Sequence, residues 1–109
     1  MQVNISGEAS KSGVAPDAAL DLLHAIAPLP RLALRGLMGI AEAAARCRAA
    51  ARSSARLREL FEAARAAGLT LDTLSMGMSA DLEAAIAEGA TLVRVGTALF
   101  GARSAETAA

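Results

Sequence analysis

The sequence has no tryptophan and no tyrosine, and only two phenylalanines, one lysine, one histidine and one cysteine among its 109 residues. A single cysteine, Cys47, excludes an internal disulfide, and one histidine with one cysteine excludes a Cys/His zinc centre. No apolar run approaches the roughly 18–20 residues of a membrane span. The start, Met1-Gln2-Val3-Asn4, lacks the basic and apolar regions of a signal peptide. A cytoplasmic protein is therefore expected. Excess charge is also missing: 11 Lys and Arg balance 11 Asp and Glu. That argues against a chain that binds nucleic acid or anionic membrane with its whole surface. Because much of the 54% apolar fraction is alanine, that figure overstates the core. A single small domain with so few large side chains is expected to be marginal by itself, as a part of something larger would be.

What is present alternates. Gln2-Val3-Asn4-Ile5 reads as a strand, ending at Ser6-Gly7. Pro16-Asp17 opens a helix, with proline in the first turn and an acid at the positive end of the dipole. Leu20, Leu23 and Ala27 continue its apolar stripe, and Pro28 and Pro30 stop it. Leu32 to Met38 reads as a second strand. Ala41 to Ala67 holds strong helix formers, with Leu57, Leu60, Phe61 and Ala64 on one face and Gly68 as the stop. A break near Ser53-Ser54 is allowed. Leu69 to Ser75 is a third strand, and Ala80 to Glu88 a third helix capped by Ser79 and ended by Gly89. Thr91 to Val95 is a fourth strand, followed by a helical turn around Ala98 to Phe100. The predicted fold is α/β, four βα units on a parallel sheet. The order alone fits a small open sheet or half of an eight-unit barrel. Residues 104–109 are an expected frayed tail.

Parallel βα arrays carry function in the loops after their strands. Two such loops have the make-up of phosphate sites. Ser75-Met76-Gly77-Met78-Ser79 places hydroxyls and a glycine between a strand and a helix. One unit later, Gly96 permits close approach and Thr97 adds a hydroxyl. Barrels of this class often hold phosphate after strands seven and eight, where these loops fall if the units are the last four. Arg94 interrupts an apolar strand and alternates with Val93 and Val95. A charge inside a barrel needs a ligand or an acid, whereas an edge arginine needs neither. Lys11 reads as a solvated loop residue, and His24 as a helix-surface residue. Cys47 sits between Arg46 and Arg48 with no reactive role assigned. The series from Arg46 to Arg58, answered by Glu59 and Glu62, reads as a solvated face.

Together these runs resemble the pyridoxal phosphate homeostasis protein family, of the YggS/PROSC type. The resemblance rests on Val3 to Glu8 with Ser10 to Gly13, Leu34 to Met38, Leu74 to Asp81, and Val93 to Gly101. It implies an alanine racemase-like (β/α)8 TIM-type barrel, of which this chain supplies the C-terminal half over residues 1–103. It implies pyridoxal 5′-phosphate (PLP) as cofactor and a non-catalytic role in its carriage. By resemblance, Ser75, Met76, Gly77, Ser79, Gly96 and Thr97 hold the phosphate, Arg94 faces the pyridine nitrogen and Met38 lies beside the pocket. An arginine there keeps the nitrogen unprotonated. The family's Schiff-base lysine belongs to a segment with no match here, and Lys11 matches a different loop. The alternatives are a racemase-like enzyme half that needs a partner chain, and a truncated piece without function. A half-barrel also implies a homodimer or a complementary N-terminal half as partner.

Overall fold

The structure, a computed structural model, describes residues 1–6, 12–41 and 47–101. Six elements follow in order: α1 (Pro16–Ile26), β1 (Gly36–Met38), α2 (Cys47–Ala66), β2 (Thr73–Ser75), α3 (Leu82–Ala87) and α4 (Thr97–Phe100). β1 and β2 are parallel, with Gly36 opposite Thr73, Leu37 opposite Leu74 and Met38 opposite Ser75. Parallel bridges extend the pair on both sides, Gln2 to Met38 on one and Ser75 to Leu92 on the other. The four expected strand segments thus lie side by side in chain order. The fourth pairs at one bridge and the first at two, the second of them joining Val3 to Val14 on its outer side, and the two true strands, three residues each, are less than half the expected length. Leu32 to Arg35 and Leu69 to Asp72 precede the zone where neighbours pair, so strand-forming side chains there have no ladder to join.

Helix starts and stops follow local chemistry. Pro16 occupies the first turn of α1. Gly68 and Gly89, at φ +100° and +96°, end α2 and α3 in the left-handed conformation that glycine adopts without strain. Between Cys47 and Ala66, α2 runs unbroken, so Ser53-Ser54 is no break. Ser79 does not cap α3. The helix starts two residues later than expected, with Asp81 at its N-cap position. Lys11, Arg46 and the tail after Arg103 lie outside the described residues.

One face of the sheet is apolar by alternation: Val3, Ile5, Leu37, Leu74 and Met76 point to it. Ala19 and Leu23 of α1, Leu57, Phe61 and Ala64 of α2, and Ala85 of α3 close the core against it. A groove on the other face is lined by Leu34, Met38, Thr73 and Ser75. The fourth segment turns its outer edge away from β2: Leu92 accepts the Met76 N–H and the Arg94 N–H bonds the Gly77 carbonyl, both toward β2. Beside that edge Leu99 and Phe100 are 70% and 84% exposed. Among the described residues no helix is long and apolar enough to cross a membrane. Arg52, Arg56 and Arg58 of α2 are exposed as expected, although Arg58 finds Glu88 at 4.0 Å and Glu62 faces Arg65 at 3.9 Å.

At the strand entrances Arg35 clasps Asp72, its Nε 3.0 and 3.1 Å from the two carboxylate oxygens and its Nη2 at 2.7 Å. Thr73 Oγ1 donates to the same carboxylate at 2.8 Å. The Arg35 hydrogen bond, then that of Thr73, holds the Asp72 pKa down at about 2, against an ordinary 3.8. A depressed carboxylate pKa contributes stability above its unfolded value, and the contribution fades as pH falls through the folded one. The pair is exposed, so the effect is small and screened by salt. Asp72→Asn should therefore lower the melting temperature slightly at pH 5 and low salt. The difference should narrow steadily as the pH is brought from 4 through about 2 in paired thermal melts. A difference as large at pH 2 as at pH 5 contradicts this assignment.

Candidate functional site

The strand exits converge. At the end of β1 the Gly39 N–H donates to the Ser75 carbonyl at 3.1 Å. At the end of β2 the chain turns sharply, with Gly77 at φ +104°. A Cβ on Gly77 would lie 2.7 Å from Ala85 Cβ and 3.3 Å from Val93 Cγ1, so glycine serves both conformation and packing here. Asp81 closes the turn, its Oδ1 accepting the Met78 N–H at 2.7 Å. The next loop is tied to this one twice. The Arg94 N–H donates to the Gly77 carbonyl at 2.9 Å, and the Ala98 N–H donates to Ser79 Oγ at 3.0 Å. The loops after the third and fourth segments therefore form one unit.

Several polar groups in this unit are unspent among the described residues. The N–H groups of Gly96 and Thr97 have no hydrogen-bond partner among the described residues, as is usual where a helix begins. Both positions are exposed. Gly96 is extended in φ (−122°), and a Cβ there would meet nothing within 4 Å. Neither backbone conformation nor crowding by the chain requires a glycine at this point. The Ser75 hydroxyl also lacks a partner among the described residues.

Arg94 is half-buried, so it is not the surface arginine that its edge position allowed. Its Nη2 donates to the Gly39 carbonyl at 3.2 Å, reaching from the fourth segment to the exit of β1. Its Nε is buried without an acceptor among the described residues. A buried guanidinium N–H is costly to leave unpaired, so this atom is poised for an acceptor that the described residues do not supply. Of the other expected site residues, Met38 stands on the face opposite Leu37, paired with Ser75. Met76 is 3% exposed and belongs to the core, so only its backbone is available to a site. Ser79 is engaged with Ala98. Sequence reasoning missed the Gly39 carbonyl and the Asp81 carboxylate. The second had a signal, an acid three residues after the N–H it accepts. Backbone carbonyls have none. Ser53 and Ser54 of α2, with Ile5, Gly39 and Gly77, line a small cavity behind the turn.

A parallel α/β fold whose strands follow one another in order, with unspent donors gathered at the strand exits, belongs to the class of folds that carry their functional sites at that end. This chain belongs to the alanine racemase N-terminal domain family, whose model matches residues 1–104. It is 61% identical over 103 residues to the pyridoxal phosphate homeostasis protein of Pseudomonas aeruginosa, and 50% identical over 113 residues to that of Escherichia coli K12. Each match takes in 94% of this chain and 44% of the relative, so the chain spans less than half the length of these relatives. Among solved structures it resembles PipY of Synechococcus elongatus without PLP, at a TM-score of 0.84 and 36% identity over 93% of this chain and 48% of that one. PipY with PLP bound gives a TM-score of 0.77 and 33% identity over 92% and 49%.

Proposed function

We propose that this chain supplies the phosphate-gripping half of a PLP-binding barrel, the C-terminal four of eight βα units, in a protein that holds and delivers the cofactor rather than transforming a substrate. The observation that carries the reading is the joined pair of strand-exit loops, with the Gly96 and Thr97 N–H groups unspent and the buried Arg94 Nε unpaired beside them. Phosphate oxygens match the first two donors, and an unprotonated pyridine nitrogen matches the third. The names of the relatives and the PLP held by PipY support the same cofactor. When bound, PLP supplies an aldehyde and an electron-poor ring. The residues of this chain anchor its phosphate, orient its ring and, through Arg94, keep protons from the ring nitrogen. No residue here matches the family's Schiff-base lysine, so the covalent anchor is assigned to the complementary half. The edge at Val93, unpaired among the described residues, and the exposed Leu99 and Phe100 suit such a half, or a second copy standing in for it.

Inorganic phosphate titrated into 15N-labelled chain should shift the amides of Ser75, Gly96 and Thr97. Thr97→Val removes one charge-assisted hydrogen bond, so binding should weaken about tenfold or more. Shifts confined to other regions overturn the site. Added PLP should compete with phosphate for the same amides.

A further inference from the structure

The two loops are joined by a serine that the phosphate reading would spend on the ligand. Ser79 Oγ is the acceptor of the Ala98 N–H at 3.0 Å, across 19 residues of sequence. Ala98 directly follows Gly96 and Thr97, the two residues with unspent N–H groups. The chain between Arg94, fixed to Gly77, and Ala98, fixed to Ser79, is three residues long. Those two bonds are what pin the Gly96-Thr97 segment to the Gly77 turn. Asp81 in turn pins the turn itself through Met78. Few apolar contacts do this work instead, since residues 95–100 are all exposed.

We infer that Ser79 is a positioning residue for the phosphate site: it acts through the Ala98 N–H to aim the Gly96 and Thr97 donors, and does not itself hold the anion. This rests on the proposed phosphate site. It assigns Ser79 an acceptor's role, and an acceptor of another kind can fill that role. A side-chain amide oxygen accepts a backbone N–H as well as a hydroxyl does. A direct ligand to phosphate would instead need the hydroxyl's own proton.

The experiment is an inorganic phosphate titration of the 15N-labelled 109-residue chain, its Ser79→Ala and Ser79→Asn variants, with hydrogen exchange of the Ala98 amide in each. Expected are unchanged melting within about 2 °C, an affinity loss of about five- to tenfold in Ser79→Ala with faster exchange at Ala98, and recovery of both in Ser79→Asn. Affinity lost in both variants while Ala98 exchange recovers in Ser79→Asn makes the hydroxyl a direct ligand and overturns the inference. Unchanged affinity in Ser79→Ala also overturns it. If the parent chain shows no shift at Ser75, Gly96 or Thr97, the site itself fails and the inference falls with it. Should Ser79→Ala fail to fold, Ser79→Asn decides between the ligand and positioning roles by affinity alone, full binding supporting the inference and lost binding refuting it.

Discussion

Gly36→Ala is expected to abolish the cooperative fold. A Cβ at Gly36 would overlap the carbonyl oxygen of Thr73 and lie 2.5 Å from its carbonyl carbon. Both atoms are backbone, and Thr73 is the register partner of Gly36 in the β1–β2 pair. No rotamer change relieves such an overlap. The strands must separate, which strains the bonds of the Asp72 and Thr73 N–H groups to the Arg35 carbonyl beside it. It also breaks the contact of Leu37 with Leu74 at the centre of the core. Overlap with fixed backbone belongs with the largest single-substitution effects, about 4 kcal/mol or more. Small domains have about 5–15 kcal/mol in total, and this one is poor in large core side chains. Far-UV circular dichroism against temperature should show no sigmoidal transition. Gly68→Ala is the control: φ is +100° there too, but a Cβ meets nothing within 4 Å. It should cost only the left-handed strain, about 1 kcal/mol, and keep the transition. A Gly36→Ala chain that melts like the parent removes the close strand contact on which this rests.

The contrast between these glycines also marks what a reader of the sequence can see. Pro16, Gly68 and Gly89 announce helix limits because they act on their own backbone, within a turn of the residue itself. Gly36 announces nothing. Its need arises from Thr73, 37 residues away, and no local pattern encodes that approach. Strand ends fail for the same reason. Leu32 to Leu34 and Leu69 to Leu71 have strand character, but a strand exists only where a neighbour pairs with it. Ser79 and Asp81 are both good capping residues, and sequence alone cannot rank them. The fold gives Asp81 the α3 cap position and lends Ser79 to another loop. The candidate site was more legible than the strands. Ser75, Gly96 and Thr97 stand out because polar and small residues at strand exits are visible as letters. Arg94 stands out because a charge in an apolar run is rare. The Gly39 carbonyl that receives it is a backbone atom, the same in every residue, and only the fold brings it within 3.2 Å.

Gly96→Val is the opposite case to Gly36→Ala: the fold should not notice it and phosphate binding should disappear. Gly96 has a φ of −122°, open to any residue, and a Cβ there has nothing within 4 Å. The position is exposed. A surface substitution of this kind changes stability by about 0.5 kcal/mol or less. What the glycine leaves uncovered is its own N–H and that of Thr97, neither of which bonds within the described chain. Close approach of an anion to two adjacent backbone donors requires that the first residue carry no side chain beside them. A branched valine should screen both, with a loss of about a hundredfold in affinity, ~2.7 kcal/mol. Gly96→Ala should fall between the two. The measurement pairs a thermal melt with a phosphate titration on each variant, followed at the Thr97 amide. Equal melting with lost binding separates this glycine from every structural one in the chain. Equal melting with binding retained would mean that the anion does not approach Gly96, and the phosphate site would have to move to the Ser75 side of the turn.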